Sequence, residues 1–424
     1  MKVMVVGGGG REHAIIKKIK QNKSVTEIFA LPGNGGIASD AQCIDINPKD
    51  IPAICEFAKT NGIDFAVVAP DDPLVLGAVD ALHEIGVKCF GPDKKSAIIE
   101  GSKIFAKQLM KKYGIPTAKY EVFSDADKAL EFIKNAPLPT VIKADGLALG
   151  KGVVIAYTRE EAINAVLDAM QNKKFGASGE KIVVEEFLSG VEVSVLTFTD
   201  GKTIVPMISS MDHKRALDGD KGLNTGGMGS VAPNPYYTKQ IETECMQKIF
   251  IPTINAMRAE GRPFKGCLYF GLIVTADGPK VIEYNCRFGD PETQVVLPLL
   301  KSDLLDVMRA VEAETLTKEM VEFADQSACC VVVASKGYPT SYQNGFEIVL
   351  PTLQDNQQIY MAGVKKDGEK LMSKGGRVLG VVAVKDTLKE AIDSAYGVVE
   401  QIEFSNGYYR LDIGKVALKA LCKE

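Results

Sequence analysis

Residues 280–294, KVIEYNCRFGDPETQ, begin as an alternating strand and end as a run of charged and amide side chains. Side chains two apart in a strand share a face. Glu283, Asn285 and Arg287 are therefore expected on one side, with Ile282, Tyr284 and Cys286 in the core on the other. A carboxylate and an amide oxygen are hard ligands, and Mg²⁺ takes few protein ligands, filling its shell with phosphate oxygens and water. The stretch suits a metal bridging protein to a nucleotide, with Arg287 reaching a substrate or a transferring phosphate. A salt-bridged, exposed strand face is the competing reading, and these residues alone leave both open.

Three glycine-rich stretches raise a similar question. VVGGGGREH (5–13) lacks the third glycine of a dinucleotide fingerprint, because Glu12 stands where it would be. A strand, a four-glycine turn and a helix remain, and backbone N–H groups at that helix start, with Arg11, favour an anion over a plain tight turn. KADGLALGKG (143–152) is not a P-loop: three residues separate Gly146 from Gly150, and no Ser or Thr follows Lys151. It joins two strands and reads equally as a plain hairpin or as a glycine loop closing over phosphates beside Lys143. The third stretch, 209–230, gathers Asp212, His213, Lys214 and Arg215 before NTGGMG. Of three histidines, His13 and His213 fall in these loops and His83 in a helix, and none has zinc-site spacing.

The elements that must position these residues follow from periodicity. Apolar runs at 2–7, 27–32, 65–70 and 87–92 alternate with helical spacing at 11–21, 50–60 and 74–85, which predicts a parallel βαβ sheet. Ligands of such sheets bind beyond the carboxyl ends of the strands, where GGGGREH and APDDPL stand. A helix over 96–113 leads to a second unit: helix 125–134, strands 139–145 and 151–157, helix 159–171 and strand 181–188. A hairpin over 191–212, a long helix 238–260, two strands and helices near 293–300 and 302–314 come next. Residues 328–424 read as a separate strand-rich α+β module. The 424 residues, 46% hydrophobic and 25% charged, exclude disorder and membrane burial, and a net charge of −4 argues against nucleic acid as a partner. Nine scattered cysteines without a C-x-x-C pair fit a reducing compartment, and the opening residues break into glycine too soon for a signal peptide, so a cytoplasmic protein is expected.

Taken together, GGREHA, LPGNGG, GPDKKSAIIEGSK, VIKADGLALGKGV, VVEEFLSGVEVS, DHKRALDGDKGLNTGGMG, EYNCRFGDPETQ and GGRVLGV resemble, in order and spacing from end to end, the phosphoribosylamine–glycine ligases, ATP-grasp enzymes of purine synthesis. The resemblance implies an N-terminal domain (1–101), a linker and helix (102–122), an ATP-grasp lid (123–190), an ATP-grasp core (191–326) and a C-terminal domain (327–424). It implies ATP held by Lys103, Lys143, Gly150, Lys151, Gly152, the segment Glu185, Glu186, Phe187 and Leu188, and Glu192. Mg²⁺ or Mn²⁺ falls to Glu283 and Asn285. Phosphoribosylamine is expected near Gly9, Gly10, Arg11, Glu12 and Asp71 and the loop of Asn224, Thr225 and Gly226. Glycine is expected near Asp212, Lys214 and Arg287, which with Lys143 form the catalytic set. Glycyl phosphate would form first, and the amine would then displace phosphate. No side-chain nucleophile is required.

Two positions depart from the family pattern. Gly8 stands in place of Asn or Ser and Asp71 in place of Glu, which bears on affinity for phosphoribosylamine rather than on reaction class. The expected partners are the small-molecule substrates, with transient contact to the preceding and following enzymes of the pathway, and no membrane. A ligase for another amine and a non-catalytic nucleotide-binding protein are the rivals; the failed fingerprint removes a dehydrogenase.

Overall fold

The computed structural model describes residues 1–148 and 152–422. Lys2–Gly7, Glu27–Pro32, Gln42–Cys43, Phe65–Val68 and Lys88–Phe90 form one parallel sheet. Lys2–Gly7 lies beside both Glu27–Pro32 and Phe65–Val68, so the chain winds outward in two directions from it. The carboxyl ends of Lys2–Gly7 and Phe65–Val68 are therefore the switch point where such sheets open a crevice. The four glycines and Asp71 follow those two ends.

A four-stranded antiparallel sheet of Tyr120–Phe123, Ile182–Glu186, Thr140–Ala144 and Val153–Ala156 carries two helices over a small apolar core. The helix expected over 96–113 is two, Lys94–Gly101 and Lys103–Tyr113. They part at Ser102, whose Oγ accepts the Phe105 N–H at 3.1 Å and donates to the Asp145 carboxylate at 2.9 Å. Asp145 also accepts the Ile104 N–H at 2.8 Å. A capping side chain and an acid at the helix start satisfy donors that a continuous helix would have used internally.

The central sheet places Gly278–Asn285 at one edge, antiparallel to Lys265–Thr275, which pairs with the hairpin strand Val191–Asp200. Its register slips between Gly271 and Leu272: Gly271 faces Glu283 while Leu272 faces Val281, leaving Ile282 as a bulged extra residue. This corrects the expected alternation. Val281, not Ile282, joins Tyr284 and Cys286 in the core, and Ile282 turns toward the cleft. The bulge has a cause outside the sheet, because Val281 donates its N–H to Pro116 O at 2.8 Å.

The C-terminal residues do not build their sheet alone. Ser327–Ser335 pairs on one side with Arg377–Lys385 and on the other with Gly229–Ala232, which in turn pairs with Met211–Asp212. The DHKR…NTGGMG stretch is thus stitched into the C-terminal sheet at both ends. Its hairpin, Arg215–Leu217 against Lys221–Asn224, is held by the tail: Arg410 bonds Asp412 through Nε at 2.7 Å, Asp220 at 2.9 Å and Arg215 O at 3.0 Å. All nine cysteines are unpaired. Among the described residues no helix is long and apolar enough to cross a membrane.

Arg410 is 2% exposed and Asp220 63% exposed. Arg410→Ala removes a buried cation and leaves the half-buried Asp412 carboxylate and Arg215 O without their partner, and is expected to lower stability by about 3 kcal/mol. Asp220→Asn, at the solvent end, is expected to stay within about 0.5 kcal/mol. Urea midpoints of the two variants check the contrast.

Candidate active site

The edge strand, the four-stranded sheet above it and the 211–226 stretch enclose a cleft of about 680 Å³. Glu283 and Asn285 line it on the strand face expected for them, and Arg287 follows past the strand end. Gly271 makes room for Glu283, since a Cβ there would stand 2.9 Å from Glu283 Cγ. Asn285 donates its amide nitrogen to Tyr284 O at 2.7 Å, which leaves the amide oxygen as its outward atom.

Three cations converge on this face. Lys143 donates to Ile282 O at 3.0 Å, the carbonyl that the bulge leaves outside the sheet ladder, and pairs with Glu185 at 3.1 Å. Lys103, at the start of its helix, donates to Gly146 O at 3.0 Å. Lys214 reaches Glu192 at 3.4 Å and Glu283 at 3.5 Å. Burial acts to raise the Glu283 carboxyl, but Lys214, Lys143, Lys103 and Arg287 outweigh it and hold it below the usual range. Burial lowers Lys103, whereas Glu192 above all, then Glu283, pushes Lys214 well up.

Deeper in the cleft, Arg287 meets Glu100 at 3.2 Å, and Glu100 also accepts the Cys286 N–H at 2.7 Å. Among the described residues the buried Arg287 Nε has no hydrogen-bond partner. Asp71 lines the same end; burial would raise its carboxyl, but Arg287 and Arg11 together hold it down. The Asn224–Gly226 loop is fixed by Thr225, whose N–H and hydroxyl both donate to Lys214 O at 2.8 Å. Arg377, from GGRVLGV, donates to Gly226 O at 2.7 Å and to Asp290 O at 2.8 Å, tying that loop to the turn after Arg287.

The N, ATP-grasp (A) and C domains of phosphoribosylglycinamide synthetase match residues 1–100, 101–293 and 328–416. The phosphoribosylamine–glycine ligase of Fusobacterium nucleatum is 48% identical over 418 residues, covering 98% of each chain. The chain belongs to the phosphoribosylglycinamide synthetase family. A trifunctional purine biosynthetic protein of Gallus gallus contains a segment 45% identical, which spans 99% of this chain and 42% of that protein. The crystal structure of the Thermotoga maritima phosphoribosylamine–glycine ligase superposes with a TM-score of 0.86 at 34% identity, covering 97% of this chain and 100% of that one.

Within this synthetase fold the remaining residues singled out in the sequence take definite places. Glu185, Glu186, Phe187, Leu188, Glu192, Asp212, Asn224, Thr225 and Gly226 line the cleft, as does Gly152; Gly150 and Lys151 lie outside the described residues. Gly9, Gly10, Arg11 and Glu12 are not among the described residues lining it and pack behind Phe288 and Asp290. There Glu12 folds back to accept the Gly9 N–H at 2.6 Å and Arg11 Nε at 2.7 Å, and Arg11 donates to Phe288 O at 3.1 Å. The glycines answer to packing as well: a Cβ on Gly8 would meet Gly33 O at 2.3 Å, and one on Gly10 would meet the Gln294 amide at 2.8 Å.

Sequence reasoning did not single out Lys107, Glu100, Asp290, Glu292 or Arg377. Lys107 is buried in a helix and bonds Glu185 at 2.9 Å and Thr117 at 2.8 Å; burial brings it down to about 8 against the pull of Glu185. A lysine on the buried face of an amphipathic helix was the available signal.

Both histidines of the glycine-rich stretches are structural, and His13, expected in a loop, lies in the helix Gly10–Ile19. His13 accepts the Met361 N–H at 2.9 Å and faces Asp40 at 3.1 Å. His213 accepts the Gly414 N–H at 3.1 Å and donates to Gly229 O at 3.2 Å. Burial, then Arg410, holds His213 down to about 4 from 6.5. Between these values the unfolded chain binds the extra proton, so stability is lost as pH falls from 6.5 toward 4. His213→Asn is expected to flatten the pH dependence of the urea midpoint in that window; an unchanged slope would place the acid sensitivity elsewhere.

Proposed function

We infer that this chain joins glycine to 5-phosphoribosylamine with conversion of ATP to ADP and phosphate, giving glycinamide ribonucleotide in purine synthesis. The observation that carries this reading is the convergence of Glu283, Asn285, Lys103, Lys143 and Lys214 on one cleft that also holds Arg287 and the Asn224–Gly226 loop, in a chain of the synthetase family. A carboxylate needs activation before an amine can displace its oxygen, and phosphorylation by ATP supplies that leaving group. Glycyl phosphate is accordingly the intermediate. In-line alignment and neutralisation of the transferring charge are then what the protein contributes.

The donor set fits a divalent metal of the Mg²⁺ type. Glu283 offers a carboxylate held ionised by its neighbours, Asn285 offers its amide oxygen, and no group of three His, Cys, Asp or Glu exists among the described residues that could form an all-protein cage. Bound there, Mg²⁺ or Mn²⁺ would screen the polyphosphate charge. Lys103 and Lys143, now resting on Gly146 O and on Glu185 and Ile282 O, would exchange these for phosphate oxygens, a role that Gly150, Lys151 and Gly152 would share. Main-chain groups of Glu185–Leu188 would hold adenine and Glu192 the ribose.

Lys214, Asp212 and Arg287 would place glycine, and Asp71 with the Asn224–Gly226 loop would place phosphoribosylamine. Gly9, Gly10, Arg11 and Glu12 would support its phosphate from behind Asp290. The domain division at residues 101, 122, 190 and 326, a cytoplasmic location and transient contact with neighbouring pathway enzymes belong to the same reading. The last is supported by the fused Gallus gallus relative.

Release of ADP with Mg-ATP, glycine and phosphoribosylamine generated in situ, each omitted in turn, tests the assignment. Turnover only with the full set is expected; ADP release with a different acid or amine would replace the substrate pair. Glu283→Ala is expected to abolish turnover, by at least about 10³-fold on the scale of lost charge stabilisation, while leaving the melting temperature near that of the parent. Parent-like turnover would remove Glu283 from the metal site.

A further inference from the structure

Amide formation leaves one task that the residues above do not perform. When the amine nitrogen bonds to the acyl carbon it becomes positively charged, and it must lose a proton as the carbon–oxygen bond to phosphate breaks. The acceptor has to be an acid of the cleft that is ionised and not already engaged with a cation.

The described acids that line the cleft can be sorted by their partners. Glu185 takes Lys107 and Lys143, Glu192 and Glu283 share Lys214, Glu100 takes Arg287, Asp290 takes Arg377, and Asp220 takes Arg410. Asp71, Glu186 and Asp212 each accept a backbone N–H, from Asp72, Lys119 and His213. Glu292 is 4% exposed, and among the described residues it has neither a cation within 4 Å nor a backbone donor. Its one hydrogen bond is from the Ser194 hydroxyl to Oε1 at 3.3 Å, and the Tyr269 hydroxyl stands 2.8 Å from the same Ser194 oxygen. Since a serine hydroxyl carries one proton, the chain runs from Tyr269 through Ser194 to Glu292, which only accepts.

The position is built for the carboxylate. Gly289 leaves room for Oε2, because a Cβ there would stand 2.5 Å from it. The main chain of Glu292 begins a helix, its carbonyl accepting the Val295 and Val296 N–H groups at 3.1 and 3.0 Å. The titratable and charged groups acting on it across the cleft are Asp212, Tyr269, Arg287 and Arg377. Two of these are cations, and neither makes the contact that would occupy its lone pairs.

We propose that Glu292 is the general base of the second half-reaction. The nitrogen lone pair of phosphoribosylamine forms the C–N bond, the proton it sheds passes to Glu292 Oε2, the acyl C–O bond breaks, and the departing phosphate takes that proton away. This rests on the ligase reading given above.

The test compares two acceptors of the same glycyl phosphate. Hydroxylamine is a far weaker base than an alkylamine, and its adduct sheds a proton to water unaided. Glu292→Gln is expected to lose about 10²-fold or more in kcat with phosphoribosylamine and the acid limb of its pH profile, yet to keep glycine hydroxamate formation close to parent. Equal loss with both acceptors, or loss with neither, would overturn the proposal. If Glu292→Gln does not fold, Gly289→Ala, which crowds Oε2, is expected to show a smaller loss with the same selectivity. A parent enzyme that makes hydroxamate but no amide with phosphoribosylamine would overturn the substrate reading and this inference together.

Discussion

Keeping cations charged where water is scarce is the constraint on which the cleft depends. Lys103, Lys107, Lys143, Arg287 and Arg377 are all largely buried, and for Lys103, Lys107 and the two arginines desolvation works against the charge. The answer is a set of resting contacts: Glu185 between two lysines, Glu100 against Arg287, Asp290 against Arg377, and for Lys103 the Gly146 carbonyl. A polyphosphate entering such a site meets charges that are already ionised and aimed. Its binding exchanges one set of anionic contacts for another instead of creating buried charge afresh.

Much of this was legible in the sequence. The parallel sheet, the switch-point loops and the shared face of Glu283 and Asn285 all follow from periodicity and strand geometry. What periodicity could not show was the bulge at Ile282. It arises from a hydrogen bond to Pro116 more than 160 residues earlier in the chain, and a period-2 pattern carries no trace of a distant backbone partner. The break at Ser102 is of the same kind, since the acid that caps the new helix comes from Asp145.

The polar residues that escaped notice share another property. Glu100, Glu292 and Arg377 acquire meaning only from what stands opposite them, and each is unremarkable in its own segment. His213 went the other way. Its setting in a charged loop suggested chemistry, yet its two ring nitrogens are spent on Gly229 and Gly414. A residue's chemical type announces what it could do, whereas only its partners say whether that capacity is still free.

The shared sheet also fixes a timescale. Gly229–Ala232 is an interior strand, bonded on one side to Ser327–Ser335 and on the other to Met211–Asp212. The stretch between those two strands, which carries Lys214 and the Asn224–Gly226 loop, is anchored where amide exchange with solvent requires the sheet itself to open. The Gly229 end of this stretch is thereby expected to keep the slow clock of the C-terminal core, while Met211–Asp212, as the edge strand, exchanges sooner.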